Sequence, residues 1–249
     1  MNNASYVGLS RQAGLMREMQ VIANNMANIN TVGYKREGAV FSEYVAALNA
    51  QNFQAAFQND PSHSLSIGRL SAHVSHLSDG GLRASGGTFD LALQGDGFFT
   101  VQVGGQTQLT RAGNFMSDET GRLITVDGSP VLNSAGGEIQ IPPEAQNIKI
   151  SKDGTISAEG NELGQIGVVT TDPLSLSRTG QNNWTSNAPL EPVLEPAIAQ
   201  GYLEDSNVQP MLEIARMIEV QRHYDAGQKL LETEDQRIKQ VITTVRQSL

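Results

Sequence analysis

The chain has 249 residues, enough for one large domain or two smaller ones with cores of their own. Its net charge of −9 and pI near 4.9 argue against a nucleic-acid backbone as partner. It contains no cysteine, which excludes disulfide scaffolds, zinc-thiolate sites, iron–sulfur clusters and cysteine nucleophiles together.

The helix breakers divide the chain. Four of the 25 glycines fall in residues 1–64, twenty in 65–205, and one, Gly227, after that. Proline first appears at Pro61 and only once beyond residue 205, at Pro210. Glycine and proline both disfavour helix, so the two ends are expected to be helical and the middle β. Charge divides along nearby lines: +2 over residues 1–40, −11 over 41–205 and zero over 206–249.

Met1-Asn2-Asn3-Ala4-Ser5 carries neither a basic start nor an apolar run, so no cleaved signal peptide is expected. No uncharged apolar run approaches the ~18–20 residues of a membrane-spanning helix, so no direct membrane insertion is expected. Leu15, Met19, Ile22, Met26 and Ile29 follow a 4-3-4-3 spacing, the seam of a helix over about Asn3–Asn28 that packs on another helix. Gly33, in Thr31-Val32-Gly33-Tyr34, supplies the left-handed position that ends it. Residues 1–40 are thus the N-terminal helix and its turn, and 41–75 read as a polar connector.

The Gly-rich region 76–200 reads as one β domain, sandwich-like or barrel-like. Strands are expected at Phe89–Leu93, Phe98–Val103, Leu123–Val126 with Val131-Leu132, Ile148–Ile150 with Thr155–Ser157, and Gln165–Thr171. Asp127-Gly128 and Asp153-Gly154 are hairpin-turn signals. Residues 173–200, with four prolines, read as an extended return connection.

In the C-terminal region, 201–249, Met217, Val220, Tyr224, Gly227, Leu231, Glu234, Ile238, Val241 and Val245 alternate by three and four. A start within Ser206–Pro210 places Pro210 in the first turn, where its missing N–H costs least. Such a helix is roughly 60 Å long and outruns the N-terminal one, leaving apolar seam that needs neighbours. Gly227 on that seam costs about 1 kcal/mol relative to alanine unless another helix comes close there. The class is α+β: paired terminal helices of coiled-coil type flanking the β domain.

Catalytic and ligand motifs are sparse. Gly95-Asp96-Gly97 lacks the third glycine of a dinucleotide fingerprint and reads as a turn. His63, His73 and His76 lie close in sequence, but their serine-rich surroundings read as a solvated loop rather than a metal site. A carboxylate pair for a secreted β-rich hydrolase is the competing reading. However, Asp79, Asp96, Asp127 and Asp153 each precede a glycine, which makes them turn residues first. No catalytic, cofactor-binding or metal residues are assigned, and no cofactor is expected.

Ile22-Ala23-Asn24-Asn25-Met26-Ala27-Asn28, followed by Thr31-Val32-Gly33-Tyr34-Lys35-Arg36, resembles the N-terminal signature of bacterial flagellar rod and hook proteins. Gly95-Asp96-Gly97-Phe98-Phe99 and Thr110-Arg111-Ala112-Gly113-Asn114-Phe115 resemble the family's central β motifs. Gly201-Tyr202-Leu203-Glu204-Asp205-Ser206-Asn207-Val208, with Met217-Ile218-Glu219 and Gln221-Arg222-His223-Tyr224, resembles its C-terminal signature. The three follow in the family's order across nearly the whole chain. Met26 and His223 depart from it, standing where leucine and alanine are common.

The opening Tyr6-Val7-Gly8-Leu9-Ser10-Arg11-Gln12 and the modest length look most like a proximal-rod member, with distal-rod and hook-type members as alternatives. The resemblance implies a structural, non-enzymatic subunit of the basal-body rod. It implies export by the flagellar apparatus without a cleaved signal, and polymerisation in the periplasm with other rod subunits and itself. It marks Asn24, Asn25, Asn28, Thr31, Gly33 and Tyr34 as motif residues. The weak seam predicts terminal segments that order on assembly.

Overall fold

The computed structural model describes residues 3–47, 64–145, 147–180 and 182–247, with side chains described except at 3–7, 39–47, 64–74, 245 and 247. The class is α+β, with a helix near each end and a mostly antiparallel β region between. The chain divides into two compact units. One comprises Met1–Met26, Glu37–Val74 and Gln209–Leu249; the other comprises Ala27–Arg36 and Ser75–Val208.

The first unit is built on α1 (Asn3–Ala27), of 25 residues, and α2 (Pro210–Gln247), of 38. α2 begins on Pro210 itself, whose missing N–H is one the first turn leaves unpaired anyway. Leu231 packs at the level of Gly8, Tyr224 at that of Gln12 and Glu213 at that of Asn25, so the helices run antiparallel. Within 41–75, where the sequence reads as a connector, β1 (Glu37–Ala47) and β2 (Ser64–Ser75) form a two-stranded sheet. Residues 48–63 lie outside the described residues.

The second unit carries fifteen further strands, in chain order. They are β3 (Leu82–Ala84), β4 (Leu91–Gln94), β5 (Phe98–Val103), β6 (Gln106–Thr110), β7 (Phe115–Ser117), β8 (Leu123–Thr125), β9 (Lys149–Ile150) and β10 (Thr155–Ala158). Then follow β11 (Asn161–Gln165), β12 (Val168–Thr170), β13 (Leu176–Arg178), β14 (Asn183–Ser186), β15 (Glu191–Pro192), β16 (Ala197–Gln200) and β17 (Tyr202–Glu204). The largest sheet has the order β13-β14-β6-β5-β12-β15. Its two ends do not pair with each other, so the barrel-like closure expected from the strand spacing does not occur. Smaller sheets pair β16 with β4, β17 with β3, β7 with β8, and β11 with β10 and β9.

Alternation along β5 explains the core. Phe99 and Val101 point into the main cluster with Leu91, Leu93, Phe115, Leu123, Ile156 and Ile166. Phe98 points the other way, onto Leu109 and Trp184. β5 is therefore buried on both faces, which its unbroken apolar run permits. The single expected strand over Gln165–Thr171 is two, β11 and β12. Gly167 separates them at a point where a Cβ would lie 2.5 Å from Thr100 Oγ1 and 2.8 Å from Asn133 O. The expected return connection over 173–200 holds four short strands and the turn Pro173–Ser175.

Candidate assembly site

Within the helical unit, the seam residues differ in exposure. Ile22 and Val220 are buried, while Leu15, Met19, Met217, Tyr224 and Leu231 are half-buried. Met26 is 36% exposed, Ile238 37% and Val241 55%; Val245 lies outside the described side chains. Burial thus fades toward the end of α2, which has 13 residues more than α1. The closest approach falls at small residues. A Cβ on Gly8 would lie 2.7 Å from Leu231 Cδ2, and one on Gly227 would lie 2.9 Å from Gln12 Nε2. Gln12 Nε2 donates to the Tyr224 carbonyl at 3.0 Å, so Gly227 leaves room for an amide bridge between the helices.

Asn25, 1% exposed, ties three elements of this unit. Its Nδ2 donates to Glu37 O at 2.8 Å and to Glu213 Oε2 at 3.2 Å, and its Oδ1 accepts the Glu37 N–H at 2.9 Å. Asn24 is exposed on the same helix. Burial and the nearby Glu219 raise the pKa of Glu18 above its ordinary value, against the opposing pull of His223.

The turn that follows α1 belongs to the β unit. Thr31 donates its N–H to Asn28 O and its Oγ1–H to Asn28 Oδ1, and the Tyr34 N–H returns to Thr31 O. Ile29 is half-buried there. Gly33 has φ +63°, and its N–H donates to Glu204 O at 2.7 Å. A Cβ at this position would stand 2.3 Å from the carbonyl carbon and oxygen of Arg111. Tyr34 is buried under the Arg178 guanidinium, 4.1 Å from the ring centre, and that same group lies 5.0 Å from the Trp184 ring. Asn182 Nδ2 donates to Val32 O at 2.9 Å, pinning the turn to the hairpin of β13 and β14.

Lys35 is 1% exposed and lies 2.6 Å from Glu204 Oε1, which also accepts the Gly80 N–H. Arg111, 2% exposed, lies 3.6 Å from Glu204 Oε2 and donates to the carbonyls of Leu93 and Gly95. Burial lowers the pKa of Lys35, opposed by Glu204 and reinforced by Arg111. Buried charge leaves no periodic signature, so Arg178 was not singled out from sequence, and Asp79 stood there only as a turn residue before a glycine. Lys35, Arg111, Glu204 and Asn207 stood there only inside the quoted motifs. His76, just after β2, donates its N–H to Arg36 O, and His63 lies outside the described residues.

The description "Flagella basal body rod protein" matches residues 6–35, which cover most of α1 and the turn just described. "Flagellar hook protein FlgE/F/G D1 domain" matches 92–158, and "Flagellar basal body rod FlgEFG protein C-terminal" matches 199–244. The flagellar basal-body rod protein FlgF of Caulobacter vibrioides is 39% identical over 93% of this chain and 93% of its own. The chain belongs to the flagellar basal-body rod family. FlgG of Bacillus subtilis is 36% identical over 99% of this chain and 100% of its own, and FlgF of Mesorhizobium japonicum is 34% identical over 90% of each. Like its family, the chain is a structural rod subunit of the flagellar basal body. Among the described residues, no helix is long and apolar enough to cross a membrane.

Proposed function

We propose that this chain is a proximal-rod subunit, of the FlgF type, that polymerises with itself and other rod subunits into a helical tube through its terminal helices. Head-to-tail contacts, in which one face of each subunit meets a different face of the next without closing into a ring, generate such a tube. The seam from Leu15 to Ile29 and from Met217 to Val245 is its assembly face, packed in coiled-coil fashion. The observation that carries this is the uneven burial of α2. Val220 is 5% exposed, while Ile238, Val241 and Ile242, near the other end, are 37%, 55% and 61% exposed. An apolar stretch of that kind is covered by neighbours.

Export through the flagellar apparatus, the absence of catalysis, and ordering of the termini on assembly belong to the same reading. Deleting the gene in its own bacterium and imaging the basal body tests it: an intact rod with normal swimming refutes the role. A distal-rod position is the second reading, favoured by the end-to-end match to a FlgG. Crosslinking in purified basal bodies separates the two, since they place the subunit in different halves of the rod. A hydrolase would keep its activity without the last ~40 residues, whereas a rod subunit loses incorporation.

A further inference from the structure

Three chain passages meet inside the β unit, near 33–36, 76–80 and 204–207, and the groups that join them are polar. Lys35 Nζ holds Glu204 Oε1 at 2.6 Å and donates to Ser78 O at 2.8 Å. Glu204 accepts the Gly33 N–H on its main chain and the Gly80 N–H on its carboxylate. Asn207 repeats the pattern one step on. Its Oδ1 accepts the Arg36 N–H at 2.7 Å, its Nδ2 donates to His76 O and Ser78 O, and its own N–H donates to Tyr34 O. Two buried cations, Lys35 and Arg111, face one buried carboxylate, with the half-exposed Asp79 completing neutrality 3.8 Å from Lys35 and 3.4 Å from Arg111.

This is a poor way to gain stability. Glu204 Oε2 and Arg111 Nε are buried without a hydrogen bond. Apolar side chains of similar volume generally hold a fold as well as a buried ion pair does. Apolar groups lack direction, however, and fix no single arrangement of the strands they join.

We propose that the Lys35–Glu204 pair and Asn207 are positioning residues for rod assembly. They select one arrangement of the stem leaving α1 and the stem entering α2, at no gain in stability of the β unit. Both helical arms then start from one fixed origin when a neighbouring subunit is met. This inference rests on the rod reading above.

The test uses the full chain carrying Lys35→Met, Lys35→Met with Glu204→Met, or Asn207→Ser. The single Lys35→Met change leaves Glu204 buried beside Arg111 alone, and its thermal midpoint, read by Trp184 fluorescence, falls by about 10 °C. The double change leaves Arg111 balanced by Asp79 and restores the midpoint to within a few degrees of the parent. In the double variant and in Asn207→Ser, the Gly33 and Arg36 amides exchange hydrogen about tenfold faster, while those of Val131, Leu132 and Ile166 keep their protection. Neither variant restores swimming to a strain lacking the gene.

Three results overturn the proposal. The stem amides keep their protection; the double variant swims like the parent; or it melts as low as Lys35→Met with its core amides exposed, which makes the pair a stability element. Failure of the rod reading itself shows separately, as normal swimming of the deletion strain before any variant is introduced.

Discussion

Gly33 and Gly104 offer a matched pair for weighing how tightly the stem is packed. Both are in the β unit and have nearly equal left-handed φ, +63° and +58°. Beyond Gly104 there is open space, whereas a Cβ on Gly33 would meet the Arg111 main chain at 2.3 Å. Alanine at either site carries the left-handed penalty of about 1–2 kcal/mol, partly offset by the lower entropy of its unfolded chain. Gly104→Ala should therefore cost about 1 kcal/mol. Gly33→Ala adds overpacking against a main-chain carbonyl, about 1–3 kcal/mol, and strains the Gly33 N–H bond to Glu204, worth about 1 kcal/mol. The difference between the two variants should be about 2–4 kcal/mol. Trp184 is the one tryptophan of the chain and fully buried in the same unit, so its fluorescence in urea follows the relevant transition. With a slope of about 2 kcal/mol per molar, the two midpoints should stand about 1–2 M apart. Midpoints within about 0.3 M of each other would refute the close packing of the stem.

At Gly227, alanine gains about 1 kcal/mol of helix propensity but displaces the Gln12 bridge. Gly227→Ala should thus stabilise the helices only in a Gln12→Ala background, with a coupling of about 1 kcal/mol in a double-mutant cycle followed at 222 nm; additivity would sink this account. The raised pKa of Glu18 means that the folded helices hold its proton more tightly than the unfolded chain does. That contribution is complete below the ordinary value of 4.5 and is lost as pH rises through the raised one. Glu18→Gln should accordingly melt above the parent at pH 7 and not at pH 4, and an equal gap at both would contradict the assignment. Serine at Ile238 and Val241, both exposed, should move the melting of the isolated chain by less than about 0.5 kcal/mol each yet abolish incorporation into rods. Normal swimming with both serines in place would show that this stretch needs no neighbour.

The helices were legible because their signals are local and repeated. Pro210 opens α2 and Gly33 takes the left-handed position, as the helix-boundary chemistry predicts. The apolar run Phe98–Val103 is β5 residue for residue. The pairing around Asp127-Gly128 was legible only in part. The turn forms, with the Ser129 carbonyl accepting the Thr125 N–H, and the pairing with β8 goes on as Pro130 bridges Ile124 and the Val131 N–H donates to Leu123 O. What the spacing did not show is that Val131 also bridges Val101 of β5 and that the Leu132 N–H donates to Thr100 O. Strands β13 to β16 were missed because each is two to four residues long, with prolines and polar residues where alternation would show. Trp184, inside one of them, is sealed by Phe98 at 5.5 Å and by Arg178, a contact made by the fold and not by sequence spacing. The same holds for the buried charges. Lys35 is fully covered because Glu204 meets it from the far end of the β unit, and nothing beside Lys35 in the sequence announces that.

Lys35 and Glu204 are 169 positions apart. Closing a chain loop of that length costs about 4–5 kcal/mol of entropy beyond a constant, a cost met only when the intervening strands have already drawn the ends together. A ribosome making this chain releases Gly33, Lys35 and Arg36 early, and their contacts with Glu204 and Asn207 wait until residues 204–207 arrive. The turn after α1 is therefore a late seal, not a starting point for folding. A chain cut short before Glu204 carries the full N-terminal motif as sequence but lacks the acceptor of the Gly33 N–H, the carboxylate that meets Lys35 and the Asn207 amide that meets Arg36. The order in which the fold completes itself thereby distinguishes finished subunits from fragments.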